Sequence, residues 1–220
     1  MRYIVIIFLL TSTLSWAQSD RLDLPTVYIQ NSVTGKNNLP IKVEGSPYLD
    51  EAFKLGTVTV SNDTSYKTYL RYNAFNDEIE MQDGEKVIAL MKRDYITAQL
   101  NGFNYRVIKF MEDGKIRQGY GIPLYTGDTS FYSRYQVVLR EGKAANSSYG
   151  KERPPSFERE VLYYIAREGK TAEPVRLTKK SIIEALSDQK ASLDRYCKAE
   201  KLKLKIEAEV IQLLRHYDSL

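Results

Sequence analysis

Between residues 57 and 167 the chain is cut into short runs rich in Val, Ile, Tyr and Thr, and several cuts fall at Asx-Gly pairs: Asp83-Gly84, Asn101-Gly102 and Asp113-Gly114. Asx before Gly tolerates positive φ at both central positions of a type I′ turn, the tight connection of a β-hairpin. Such turns join antiparallel neighbours, because parallel strands need a long crossover. The runs at 57–61, 68–74, 78–82, 86–91, 95–100 and 103–110 are therefore read as strands, with further candidates at 122–125, 130–140 and 159–167. Breaks at Gly127-Asp128, Glu141-Gly142 and Glu168-Gly169 continue the pattern. It predicts an antiparallel β-meander over 46–177, curled into a half-barrel or sandwich. An outer-membrane barrel is the architectural rival, disfavoured because the strands lack a sustained alternating lipid-facing band and helices follow them.

From Thr178 the apolar period changes. Ile182, Ile183, Leu186, Leu193 and Tyr196 mark one face of a helix with Thr178 as its N-cap, and Ile206, Val210, Leu213, Leu214 and Tyr217 mark another. The register slips across the lysine-rich link 198–205, which predicts a C-terminal helical hairpin over 178–220 rather than one rod. The fold class expected is thus α+β. Residues 178–220 carry nine Lys or Arg against seven Asp or Glu, so packing on the sheet is favoured over docking on a membrane, which wants a strongly basic face.

Ahead of the strands, Arg2, the apolar run 3–10 and Ser15-Trp16-Ala17 before Gln18 have the three parts of a secretory signal peptide, expected at 1–17. The apolar run is too short for the ~20 residues of a membrane span. A lipoprotein needs a cysteine just after the cut, and the one cysteine is Cys197. The expected product is periplasmic or secreted, unlipidated, without a transmembrane segment once the signal is removed, and without an internal disulfide. Residues 18–45, with Asn31, Gly35, Asn37, Asn38 and Pro40, read as a loosely ordered lead-in holding one strand at 27–30. The stretch 142–155, with paired prolines and no apolar period, reads as a surface loop.

Chemistry is sparse. The net charge of +4 comes from 32 basic and 28 acidic residues interspersed along the chain, without the one-sided basic face of a nucleic-acid binder. The lone histidine, His216, has no partners at metal-ligand spacing, and neither a G-x-S-x-G elbow nor a phosphate or dinucleotide loop occurs. Glu78/Glu80 and Glu158/Glu160 are spaced so that each pair shares one strand face, about 6.5–7 Å apart, within glycosidase range, but catalytic carboxyls face each other across a cleft from different elements. A solvated strand face explains the alternation. Cys197, despite Lys198 and Lys201, reads as a small buried side chain. No catalytic residue, metal or cofactor is expected, and the chain is read as no enzyme.

Seventeen tyrosines stand out, several interleaved with arginine: Tyr69, Arg71 and Tyr72, then Tyr132, Arg134 and Tyr135. Rings beside cations can form a platform for sugars or a partner protein, and tyrosine is equally a residue that spans a half-buried sheet face.

Gly45-Ser46-Pro47-Tyr48-Leu49-Asp50, Phe53, Gly56-Thr57-Val58, Leu70-Arg71-Tyr72-Asn73 and Asp77-Glu78-Ile79-Glu80, together with Leu177-Thr178-Lys179-Lys180-Ser181-Ile182 and the closing Tyr217-Asp218-Ser219-Leu220, resemble a family of signal-peptide-bearing exported proteins of Bacteroidota. That resemblance implies export and architecture and carries no activity or site residue. The function expected is that of an exported, non-catalytic cell-envelope protein acting through protein–protein contacts, its partner another envelope protein. The alternative is a glycan or small-ligand binding module using the Tyr/Arg clusters.

Overall fold

The computed structural model describes residues 24–32, 43–61, 64–143, 153–167 and 169–220. The expected signal peptide at 1–17, much of the lead-in, the middle of the 142–155 loop and Glu168 lie outside the described residues.

The expected α+β architecture is present: an antiparallel sheet followed by helices. Eleven strands, β1 (Ile29–Asn31), β2 (Lys54–Val60), β3 (Thr64–Asn73), β4 (Glu78–Asp83), β5 (Lys86–Leu90), β6 (Ile96–Leu100), β7 (Phe103–Glu112), β8 (Lys115–Thr126), β9 (Thr129–Arg140), β10 (Ser156–Arg167) and β11 (Glu173–Val175), form one open sheet. Asn101-Gly102 and Asp113-Gly114 have positive φ at both residues and close the β6–β7 and β7–β8 hairpins as their sequence predicts. At the third pair the strand runs one residue further: Asp83 still pairs with Lys86, and Gly84 alone takes positive φ.

The sheet is two meanders rather than one. Its order is β1-β5-β4-β3-β2-β6-β7-β8-β9-β10-β11, so β6 returns to pair with β2. In a flat sheet that return crosses four strand spacings, about 19 Å. It also runs the length of β2, because Leu90 sits level with the start of β2 whereas Ile96 pairs with its last residue, Val60. Six residues span at most about 20 Å, and a turn from Ile96 N–H to the Arg93 carbonyl (3.1 Å) shortens them further. The sheet must curl. The first core fills that curl with Val58, Leu70, Tyr72, Ile79, Met81, Leu90, Ile96, Tyr105, Tyr120 and Val137.

A second, tighter curl follows. Ala172, just before β11, lies parallel to β7 and exchanges two backbone hydrogen bonds with it: Ala172 N–H to the Lys109 carbonyl and Met111 N–H to the Ala172 carbonyl, both 2.9 Å. Ile108, Phe110, Tyr132 and Tyr164 fill its interior. On the opposite face of the same β9–β10 ladder, Phe131 and Ile165 lie under the helices.

In place of a single helical hairpin the C-terminal segment makes three helices, α1 (Lys179–Ala185), α2 (Lys190–Ala199) and α3 (Glu207–Tyr217). The expected N-cap holds, with Thr178 Oγ1 accepting from Ser181 N–H at 3.3 Å. The first arm breaks at a 3-10 turn, Ser187–Gln189, where Asp188 turns to Arg167 (2.6 Å) and the Tyr217 hydroxyl (2.8 Å) instead of continuing a helical face. Between α2 and α3, Lys201 and the fully buried Leu204 adopt positive φ. Asp218, just past α3, fastens the helices to the sheet: it accepts from Thr129 N–H (3.1 Å), the Thr129 hydroxyl (2.8 Å) and the Tyr125 hydroxyl (2.9 Å). Asp218→Ala leaves the buried Thr129 without those acceptors and is expected to cost about 1–3 kcal/mol. At ~2–4 °C per kcal/mol in a chain of this size, thermal melts of the variant should show a clear fall, and an unchanged melting temperature would remove Asp218 as the fastener.

Candidate functional site

The pleat of a strand sends successive side chains to opposite faces, and that divides both tyrosine-arginine clusters. On β3, Tyr72 points into the first core with 2 % of its surface exposed, while Arg71 and Tyr69 point outward and Tyr69 is 55 % exposed. On β9, Tyr132 and Arg134 point into the second curl, and Tyr135 lies against the first core, its ring 5.8 Å from Phe103. The six residues do not share a surface. Two of them, Tyr72 and Arg134, meet at Asp77.

Asp77 is a crowded node. It accepts from the Tyr72 hydroxyl (2.7 Å) and Tyr120 N–H (3.2 Å), and it faces Lys92 Nζ at 2.9 Å and Arg134 at 3.6 Å. Arg134 also donates to the Tyr120 carbonyl (3.0 Å) and lies flat on Phe110, 3.7 Å from the ring centre. A Cβ on Gly119 would sit 2.5 Å from the Asp77 carboxylate and 2.6 Å from Arg134, so only glycine leaves them room. The opening beside this node encloses about 190 Å³, below the ~300 Å³ at which small-molecule pockets begin. Asp77, Lys92 and Arg134 are spent on one another.

A second buried network lies on the outer face of β3 and β4. Glu80 is fully buried, and two nitrogens of Arg71 converge on its Oε2, each at 2.7 Å. Asn73 donates to its other oxygen at 2.9 Å, and the Ser32 hydroxyl lies 3.0 Å from Glu78 and 3.4 Å from Glu80. Tyr48 and Phe53 sandwich the Arg71 guanidinium at 4.0 and 4.3 Å. Removing one partner of such a buried pair costs about 3–5 kcal/mol, which suits a clasp that holds the lead-in to the sheet. The other carboxylate pair, Glu158 and Glu160, grips Arg140 at 2.9 and 2.7 Å on the exposed face.

His216 stacks on Tyr196, rings 3.9 Å apart and 12° from parallel. Cys197 is buried among the helices, and desolvation pushes its thiol above the ordinary range, which disfavours the reactive thiolate. Among the described residues, no three His, Cys, Asp or Glu side chains group to hold a metal ion.

The feature that the sequence reading missed is an open strand edge. On the side of β10 away from β9, Phe157 N–H donates to the Glu44 carbonyl (2.8 Å) and Glu44 N–H donates to the Pro155 carbonyl (2.9 Å). Further along, Tyr163 to Ile165 pair with β11. Between these two lies 158–162. Since backbone groups alternate sides along a strand, Arg159 and Val161 share the outward direction of Phe157, and each presents one N–H and one C=O. Among the described residues nothing pairs with them, and Val161 is 42 % exposed. At the Leu162 end the edge opens into a groove of about 530 Å³ between β10, β11 and the start of α1. Two sequence signals mark the place: three consecutive charges, Glu158-Arg159-Glu160, inside a strand, and Pro174 in β11, both common at sheet edges.

Burial raises the Tyr72, Tyr105 and Tyr120 hydroxyls well above the ordinary tyrosine range, and burial with the Glu207 carboxylate takes Tyr163 up to about 12. The folded state therefore holds these protons after the unfolded chain has begun to release them near pH 10. The stability they contribute is complete below pH 10 and is lost as pH rises toward 12 and beyond. Urea midpoints are expected to fall between pH 10 and 12, with phenolate absorbance lagging behind that of the unfolded chain; a midpoint constant to pH 12 would contradict this placement of the tyrosines.

Comparison of the chain with protein-family models, with curated proteins and with solved structures finds no match.

Proposed function

We propose that the protein is an exported, non-catalytic cell-envelope protein that acts by protein–protein contact, taking an extended segment of its partner as an added strand beside β10. Export rests on the signal-like residues 1–17 and on the resemblance to exported proteins. The observation that carries the binding mode is the open edge at 158–162, where Arg159 and Val161 offer four backbone hydrogen-bonding groups. Strand addition draws its affinity from such main-chain bonds and its specificity from pockets for alternate side chains. The edge is short, about 17 Å for five residues, and charges flank it, which discourages indiscriminate edge-to-edge aggregation. A second copy is a poor occupant: antiparallel pairing of two β10 edges about their centre would set Glu160 against Glu160, and like charges directly opposite destabilise a ladder.

The test uses the chain from Gln18 onward, an immobilised heptapeptide array and Val161→Pro. Because the Val161 N–H points away from β9, proline removes a donor to the partner without removing a bond of the β9–β10 ladder. Peptide binding is expected to fall at least tenfold in the variant, with the far-UV spectrum unchanged. Undiminished binding by Val161→Pro, or retention of oligosaccharides with no peptide bound, would overturn the proposal.

A further inference from the structure

Resting on that reading of β10, we infer that the groove at the Leu162 end receives a terminal carboxylate, so that the protein binds the extreme C-terminus of its partner, laid parallel to β10. A strand added at 158–162 lies in the column that β11 occupies from Tyr163 onward, where Val175 pairs with Tyr163. A partner running parallel to β10 therefore meets β11 after Leu162 and has to end or turn out sharply, and a chain terminus satisfies this with no turn. At the other end Glu44 bridges to Ser156 in the same parallel sense, and after Gly45, at φ +81°, the lead-in no longer pairs with the β10 backbone, touching it again where the Tyr48 carbonyl accepts from the Arg159 guanidinium at 2.9 Å.

Arg176 and Lys180 line the groove, both exposed and without an ion pair among the described residues. Two hydroxyls line it as well. Thr178 Oγ1 accepts from Ser181 N–H at 3.3 Å and Ser181 Oγ accepts from Arg176 N–H at 3.0 Å, so each has its own O–H still to donate. A carboxylate offers about four acceptor positions, and two cations with two hydroxyl donors match that demand. Glu184 on the rim opposes one of the cations, leaving the groove net positive. An antiparallel partner would bring its ammonium terminus, or an uncharged through-going backbone, to the same cations, and neither is favoured there. Leu162 and Val175 line the groove too, which fits an aliphatic last residue. Capture of a C-terminal carboxylate and strand addition are both established ways of holding an extended peptide, and here one edge supplies both.

The probe is the heptapeptide array displayed with free C-terminal carboxylates and, in parallel, with the same peptides amidated, against the chain from Gln18 onward. Free-acid peptides are expected to bind at least tenfold more tightly than their amides. Arg176→Ala combined with Lys180→Ala should remove that preference by weakening the acids while leaving the amides unchanged. These side chains are exposed, so folding is not at stake, and Lys180→Arg should retain the preference. Equal binding of acids and amides, with Val161→Pro still abolishing both, would overturn the carboxylate site and leave strand addition standing. Dimerisation of the chain that Val161→Pro abolishes, with no peptide bound, would overturn both.

Discussion

Two backbone hydrogen bonds at Ala172 set the shape of everything around them. By pairing with Lys109 and Met111 of β7, the segment before β11 pulls the β8–β10 sheet into its tight second curl. That curl buries Phe110, Tyr132 and Tyr164 on one side and turns Phe131 and Ile165 outward to the helices on the other. It also limits β11 to three residues, because the chain must leave at Arg176 to begin α1. A longer β11 would have covered β10 to its far end. The short one leaves Arg159 and Val161 uncovered by any described residue, so the open edge follows from the way the sheet closes.

The two curls meet at a half-buried charge. Asp77 sits with Tyr72 and Tyr120 of the first core on one side and Arg134 of the second on the other. A half-buried carboxylate held by two cations and two neutral donors still costs some desolvation, and well-packed apolar residues could stabilise the position as much. What it provides is direction: only one placement of β9 against the β3–β4 connection brings Arg134 to Asp77 past Gly119. The Arg71–Glu80 pair plays the same part for the lead-in, whose Ser32 and Tyr48 close over it. Several tyrosines serve such arrangements: Tyr72, Tyr105, Tyr120 and Tyr164 put their rings in the cores, and Tyr72, Tyr217, Tyr163 and Tyr125 donate to the carboxylates of Asp77, Asp188, Glu207 and Asp218.

Local physics made much of this legible. Asn101-Gly102 and Asp113-Gly114 announce their turns because few other pairs tolerate their backbone, and Thr178 announces a helix start through its cap. What escaped is non-local. The first half of β8 is hidden by Gly119 and Gly121, which weaken a strand signal; a Cβ at Gly121 would meet the end of the Ile108 side chain at 2.7 Å and displace it. The return of β6 to β2 leaves no mark in the link 91–95. Neighbours in a strand face opposite ways, so Tyr72 turns away from Tyr69 and Arg71 despite its place beside them. The open edge left only faint traces in Glu158-Arg159-Glu160 and Pro174, because whether a strand is covered depends on where another strand stops.

No described residue covers β10 at Arg159 and Val161, and a partner strand is proposed to fill that edge. Amide hydrogen exchange resolved by residue tests it most directly, since exchange reports whether each N–H is hydrogen-bonded. In the free protein, Arg159 and Val161 are expected to exchange close to the unprotected rate while Glu158, Glu160 and Leu162, turned toward β9, are protected. Such a two-residue alternation over 158–162, which disappears when a peptide binds, is the result the account requires. Uniform protection of all five amides in the free protein would show the edge already covered and would contradict it.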